Sequence, residues 1–281
     1  MWVSQIPPHR MFRHGVLGLP MAAARHRGLF PGATPPSLQS PAFNEGNVGD
    51  KPRYLRDNPR VSVSAVVQEH RARIRSLQAV DEQVGVLVRA LRRTGELSNT
   101  YVLFTSDNGY LLGEHRLRHK NKPYEPDLVL PLLVRGPGLP HGVVRHVTFG
   151  LVDLAPTFLE LSGARAGVPI DGRSMLTALR WGAPGYTHYL IQAGGWVDRP
   201  GLRWWWRGVR SSSYTYVRYH DGFVELYDRR HDPHQLRNVA GDVAYRHVLR
   251  EYAGRLDVLR RCAAASCRSG GASASGGAHS L

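Results

Sequence analysis

Cysteine is nearly absent: the 281 residues include two, Cys262 and Cys267. That excludes a disulfide-rich scaffold and a four-thiolate zinc site. Long apolar runs are missing as well. None approaches the roughly 18 residues needed to cross a bilayer, so no membrane span is expected. Acidic residues are scarce beside basic ones, 22 Asp plus Glu against 37 Lys plus Arg, which leaves a formal charge of +15. An excess of that size raises the question of a polyanionic partner. No nucleic-acid-binding motif accompanies it. The run Trp204-Trp205-Trp206-Arg207 could stack on bases, but it sits in a strand-like segment and reads better as core and domain interface. No nucleic-acid partner is expected. Hydrophobic residues make up 42% of the chain and charged residues 21%, so a buried core is within reach and global disorder is not expected. The length suits one large domain or two small ones.

Four stretches follow from the pattern along the chain. Residues 1–60 read as an irregular start and a wrapping loop. Arg10 and Arg13 precede an apolar run in the manner of a signal peptide, but Pro20 breaks the run, so the signal is not convincing. Pro31-Gly32, Pro35-Pro36 and Asn58-Pro59 favour turns and extended backbone. Residues 61–183 read as an α/β unit. Val67, Ile74, Leu77, Val80, Val84, Leu87, Val88 and Leu91 mark one face of an amphipathic helix that begins near Ser64 and stops at Gly95. Thr100-Tyr101-Val102-Leu103-Phe104-Thr105 and Leu130-Pro131-Leu132-Leu133-Val134 read as buried strands. Helix, buried strand, loop and buried strand predict a mostly parallel central sheet flanked by helices. Residues 184–268 carry four short strand-like runs, with a hairpin signal at His220-Asp221-Gly222, and then a helix over residues 243–261. They predict a small antiparallel sheet plus helix. Residues 269–281 are Gly, Ser and Ala and read as a disordered tail.

Chemistry concentrates in residues 106–127, the loop leaving the carboxyl end of the first buried strand, where ligands gather in such sheets. Asp107 and Asn108 offer hard oxygens suited to calcium or magnesium. Gly109 lets the backbone turn sharply behind them. His115, His119, Lys120 and Lys122 form a cationic cluster able to engage an anionic ester. Taken alone, Asp-Asn-Gly is a common turn tripeptide and a cationic loop is usually solvated.

The ordered set of motifs is more specific than any piece. Ser106-Asp107-Asn108-Gly109-Tyr110, Gly113-Glu114-His115, Lys120, Tyr124-Glu125 and Pro131-Leu132-Leu133-Val134-Arg135-Gly136-Pro137-Gly138 resemble the sulfatase family, of alkaline-phosphatase-like fold. Ala79-Val80-Asp81-Glu82, Asp153-Leu154-Ala155-Pro156-Thr157 and Asp171-Gly172-Arg173-Ser174 fit the same family. Glu225-Leu226-Tyr227-Asp228 with Asp232-Pro233, Gln235-Leu236 and Asn238 resembles the N-acetylglucosamine-6-sulfatase-like arylsulfatases. The resemblance runs from about residue 25 to residue 268. It implies an α/β alkaline-phosphatase-like fold, incomplete here, with the small C-terminal antiparallel sheet. It implies calcium ligation at Asp107 and Asn108, and a sulfate contact from Lys120, whose charge can stabilise the sulfuryl group and its leaving oxygen. His115 is read either as a substrate contact or as a brace for the loop. The family also uses a histidine ahead of the long helix; neither His9 nor His14 matches its setting well.

Two family features are missing from the sequence. Cys/Ser-x-Pro-x-Arg, whose Cys or Ser is oxidised to the formylglycine nucleophile, does not occur. The early Asp-Asp pair that completes the calcium site is absent too, and two ligands fall short of the six to eight oxygens calcium prefers. The resemblance therefore implies hydrolysis of aryl or sugar sulfate esters by a complete parent enzyme, secreted or otherwise, and a chain that is inactive alone. The alternative is a non-catalytic module that binds sulfated glycans. A truncated core is expected to expose apolar surface. Cys262 and Cys267 resemble a small-loop disulfide at the end of this subgroup; two free thiols in a frayed helix end is the alternative. Oligomeric state is not legible.

Overall fold

The structure is a computed structural model that describes residues 1–13, 15–194 and 204–268. The irregular start carries one short antiparallel hairpin, β1 (Met11–Arg13) and β2 (Val16–Gly18), closed around Gly15. Residues 24–56 follow as turns, two short 3-10 segments and the single-turn helix α1 (Arg53–Arg56). This stretch wraps rather than dangles. Val48 and Leu55 are buried in a cluster with Leu111, Leu117, Tyr124 and Tyr227, which lie far away in sequence.

The long helix α2 spans Val63–Arg93, and Ser62 caps it by accepting from the Ala65 N–H at 3.3 Å. Thr94 and a left-handed Gly95 end it, where sequence periodicity stops. Its buried positions include one carboxylate, Glu69. The chain then enters β3 (Val102–Thr105), passes through β4 (Leu111–Leu112), β5 (Arg118–His119) and the one-turn helix α3 (Glu125–Leu128), and returns as β6 (Leu132–Arg135).

Two expectations for this unit are corrected. The two strands were expected to be parallel and buried. They pair antiparallel, Val102 opposite Arg135 and Thr105 opposite Leu132. The connection folds back through the β4–β5 hairpin and delivers the chain to the end of β3 it left, so no crossover helix is available to make the pair parallel. They also form a two-stranded ribbon with part of their apolar surface in contact with solvent, Leu133 being 61% exposed.

After β6 come α4 (Leu154–Ser162) and α5 (Leu176–Trp181), each closed by a left-handed glycine, Gly163 and Gly182. The four expected strands are present as β7 (His188–Ala193), β8 (Trp206–Ser211), β9 (Tyr214–Tyr219) and β10 (Val224–Asp228). They form one fully antiparallel sheet in the order β10-β9-β8-β7. Helix α6 (Arg246–Leu259) covers one face, and Val209, Tyr216, Leu226, Val248, Tyr252 and Leu256 make the core between them. The stripe Val248, Tyr252, Leu256 and Leu259 recurs at three- and four-residue steps, which is why this helix packs as it does. The expected disordered tail, residues 269–281, lies outside the described residues.

Cys262 and Cys267 are joined by a disulfide beside the short helix α7 (Ala265–Arg268). Alkylation of the intact protein is therefore expected to leave both cysteines unmodified until reductant is added, and to label both afterwards. Labelling without reductant, read by mass spectrometry, would contradict the pairing.

Candidate functional site

Residues 106–127 form a closed loop whose two limbs bind each other. The N–H groups of Gly109 and Tyr110 donate to the carbonyls of Asp127 and Pro126, each at 3.0 Å. Gly109 is required by this closure, because a Cβ there would lie 2.2 Å from the Pro126 oxygen. The Ser106 hydroxyl donates to the Asn108 carbonyl at 2.8 Å and fixes the first turn. Further along, His115, Arg116, His119 and Asn121 all hold positive φ angles. Non-glycine residues take that region at a cost, and it recurs where a site imposes it.

Asn108 and Lys120 come together here. Lys120 Nζ donates to Asn108 Oδ1 at 2.9 Å. Asp107 lies beside them with an exposed carboxylate that makes no ion pair or hydrogen bond among the described residues. His115 is 1% exposed, with Nδ1 2.7 Å from Glu45 Oε2 and its ring 4.2 Å from that of Tyr124. Of its two readings, the brace is the one that burial supports. His9 is exposed and bonds only the adjacent Arg10 carbonyl, at 2.7 Å. Arg10 itself reaches toward the loop, 3.4 Å from His119 Nε2. His14 lies outside the described residues.

The loop rests on three buried carboxylates, and sequence reading found none of them. Glu45 holds His115 and faces the fully buried Lys51 at 3.4 Å; Lys51 also reaches Asp50 at 2.9 Å and the Leu236 carbonyl at 2.6 Å. Glu69 of α2 accepts from the Tyr110 hydroxyl at 2.6 Å and from Arg118, and Tyr110 lies 2.9 Å from His119 Nδ1. Glu225 of β10 accepts three phenols, Tyr124 at 3.0 Å and Tyr219 and Tyr227 each at 2.7 Å. Burial raises the pKa of Glu225 against those donors. Next to Tyr124, Glu125 pairs with Arg210 of β8 and with Arg229, and its backbone N–H donates to the buried Gln235 side chain at 2.8 Å. The Tyr-Glu motif thus anchors the loop to the C-terminal sheet.

Two more charges complete the floor. Lys122 lies with Nζ 4.1 Å from the centre of the Tyr54 ring, and burial lowers its pKa. Asp127 is 7% exposed and accepts from the Lys122 N–H at 2.6 Å. Burial raises its pKa to about 6, although the Lys120 and Lys122 charges pull it down.

These residues do not by themselves make a calcium site. Among the described residues no group of three or more His, Cys, Asp or Glu could hold a metal ion. Asn108 Oδ1 is already engaged by an ammonium, whose charge opposes a dication on the same oxygen. Asp107 and Asn108 can contribute to such a site only together with further oxygens.

A loop carrying a carboxylate, an amide and an ammonium at a strand end, on an α/β unit with a small antiparallel sheet beside it, defines an anion-handling hydrolase architecture. Residues 19–164 match the family described as Sulfatase, and residues 113–262 match the one described as N-sulphoglucosamine sulphohydrolase, C-terminal. The chain belongs to the sulfatase family, which generally uses calcium. It is 30% identical over 243 residues to the N-acetylglucosamine-6-sulfatase of Homo sapiens, covering 75% of this chain and 44% of that one. It is 44% identical over 108 residues to the extracellular sulfatase SULF-1 homolog of Drosophila melanogaster, covering 38% of this chain and 10% of that one. The fold matches a structure solved with its substrate D-glucosamine-2-N,6-O-disulfate at a TM-score of 0.62 and 27% identity, over 69% of this chain and 41% of that one. It also matches the phosphonate monoester hydrolase of Agrobacterium radiobacter at a TM-score of 0.62 and 24% identity, over 71% and 42% of the two chains, a likeness of fold alone. The alkaline-phosphatase-like class holds. The chain spans less than half the length of these N-acetylglucosamine-6-sulfatase relatives. No helix among the described residues is long and apolar enough to cross a membrane.

The raised pKa of Asp127 has a stability consequence. The folded state favours the protonated acid, so this group's penalty is absent below its ordinary value of 3.8 and grows as pH rises through about 6. Asp127→Asn keeps an acceptor for the Lys122 N–H and removes the charge. It is expected to stabilise the protein at pH 7.5 by roughly 2 kcal/mol, with the gain fading toward pH 4. Urea unfolding at the two pH values checks this; an equal effect at both would contradict it.

Proposed function

We propose that the Asn108–Lys120 site receives the sulfate group of a sugar sulfate ester, and that this chain by itself binds such esters without hydrolysing them. The contact from Lys120 Nζ to Asn108 Oδ1 at 2.9 Å carries this reading. It holds an ammonium at the carboxyl end of β3, stretched toward the pair of oxygen ligands, where a bound sulfuryl group would meet positive charge. A sulfate ester develops negative charge on its leaving oxygen as the S–O bond breaks, and a fixed cation there lowers the barrier without reorganising. Lys120 is the group to supply it. Asn108 orients Lys120, and the buried carboxylates beneath hold the loop that presents both. Calcium, when completed by further ligands, would supply a second positive charge to the sulfate.

Turnover needs a nucleophile, and Cys/Ser-x-Pro-x-Arg does not occur in the sequence. Hydrolysis is therefore assigned to the complete sulfatase architecture, in which the formylglycine hydrate attacks sulfur. The relatives named for N-acetylglucosamine-6-sulfatase activity support a sulfated amino sugar as the ligand class. Retention of the site without the nucleophile also favours the second reading, a sulfated-glycan-binding module.

Calorimetric titration with N-acetylglucosamine 6-sulfate at low ionic strength is expected to give binding that the unsulfated sugar lacks. A charge-assisted hydrogen bond contributes about 1.5–3 kcal/mol, so Lys120→Met is expected to weaken binding by roughly ten- to a hundredfold. Equal binding of both sugars, or an unchanged Lys120→Met, would contradict the site. Release of product from an aryl sulfate by this chain would contradict its inactivity.

A further inference from the structure

Just past Lys120, the structure contains a cavity of about 350 Å³ whose walls include Asn121, Gln192, Trp204, Trp205 and Arg207. Asn121 links it to the loop, because its carbonyl accepts from the Trp206 indole at 3.0 Å. The floor is held by sheet hydrogen bonds. The Trp205 N–H donates to the Ala193 carbonyl at 2.8 Å, and the Trp205 carbonyl accepts from the His220 N–H at 3.0 Å. Gln192 stands directly opposite Arg207 across β7 and β8.

Arg207 is the unusual member. It has no ion-pair partner among the described residues, and its buried Nε lacks a hydrogen-bond acceptor. Across β8 and β9 it faces another arginine, Arg218, residue for residue. A third, Arg260, also lies close enough to lower its pKa, after burial. Arg218 and Arg260 both lean on one carboxylate, Asp257, at 3.3 and 2.8 Å. Like charges directly opposed across a sheet are destabilising, and an unsatisfied buried donor carries a desolvation penalty. Three guanidinium groups around one carboxylate leave an excess of positive charge that an anion would relieve. Violations of this kind mark functional positions. The guanidinium lies 5.5 Å from the centre of the Trp204 ring, so aromatic surface and cation are presented together.

We propose that this cavity is a second subsite that takes an acidic sugar residue, its ring against the Trp204 and Trp205 surfaces and its oxyanion on Arg207. Gln192 supplies an amide for a sugar hydroxyl. The ligand class is a pyranose with a sulfate or carboxylate substituent. Because Asn121 adjoins Lys120, the residue in the cavity is the one glycosidically linked to the sugar whose sulfate meets Lys120. This assignment rests on the reading of Lys120 as the sulfate contact, and it goes further by making the ligand an acidic disaccharide rather than a single sulfated sugar.

The test titrates the full chain with N-acetylglucosamine 6-sulfate and with two disaccharides that extend it, one by a uronic acid and one by a neutral sugar bearing a second sulfate. Affinity is read by calorimetry, and cavity occupancy by tryptophan fluorescence. At least one disaccharide is expected to bind tenfold or more tightly than the monosaccharide; which one does so identifies the oxyanion. Arg207→Gln is expected to abolish that advantage while leaving monosaccharide affinity unchanged, whereas Lys120→Met weakens every ligand. Trp204→Leu, which keeps the charge and removes the ring, is a second variant expected to lose most of the advantage and the fluorescence change. If Lys120→Met has no effect while the Arg207 dependence persists, the cavity stands and the reading of Lys120 fails. A wild-type protein with no disaccharide advantage, or an advantage that survives Arg207→Gln and Trp204→Leu, overturns the subsite.

Discussion

A carboxylate removed from water must be met by protein donors, and the position of the whole site loop follows from that requirement. Glu225 is fully buried and its three phenol partners come from β9, from β10 itself and from the loop, through Tyr124. Glu45 and the fully buried Lys51 impose the same condition on the wrapping segment and, through His115, on the loop's outer turn. Stranding one member of such a buried set is strongly destabilising, on the order of 3–5 kcal/mol. The loop has little apolar surface of its own. Its conformation is selected instead by the arrangement that leaves none of these charges alone, and that arrangement sets Lys120 against Asn108.

The same network joins regions that sequence order keeps apart. Glu125 ties the loop to Arg210 and Arg229, Trp206 reaches the Asn121 carbonyl, and Tyr110 reaches back to Glu69 in α2. The small antiparallel sheet is therefore part of the site's foundation. Its strand ends also frame the cavity beside Lys120, where the positive excess around Arg207 has no protein counterpart. The overall basic charge is accordingly distributed between solvated helix faces and two places where an anion would be welcome.

Much of the architecture was legible in sequence because it depends on local rules. Periodicity marked α2 and α6, Ser62 and Gly95 bounded the former, and His220-Asp221-Gly222 announced the β9–β10 turn. Asn108 and Lys120 could be chosen from motif order. The direction of β6 could not, because it depends on how the intervening loop closes through Gly109, and a strand-rich run carries no sign of its neighbour's orientation. Burial of β3 and β6 was misjudged for a related reason: apolar composition describes what a strand can bury, whereas exposure depends on what packs against it. Glu45, Glu69 and Glu225 were invisible because each looks like an ordinary acidic residue until partners from distant segments surround it. His115 is the instructive intermediate, a histidine in a functional motif whose burial against Glu45 makes it a support.

The account rests on the loop being a fixed part of the fold, held by buried polar groups as firmly as the sheet. Native-state hydrogen exchange measures this directly at Gly109, Tyr110, Gly113 and Leu117, whose N–H groups all donate within the loop. The account predicts that these amides open with a free energy close to that of the β8 and β9 amides, and that Glu225→Gln lowers it in the loop. Loop amides that exchange near unprotected rates while β8 and β9 stay protected would contradict it.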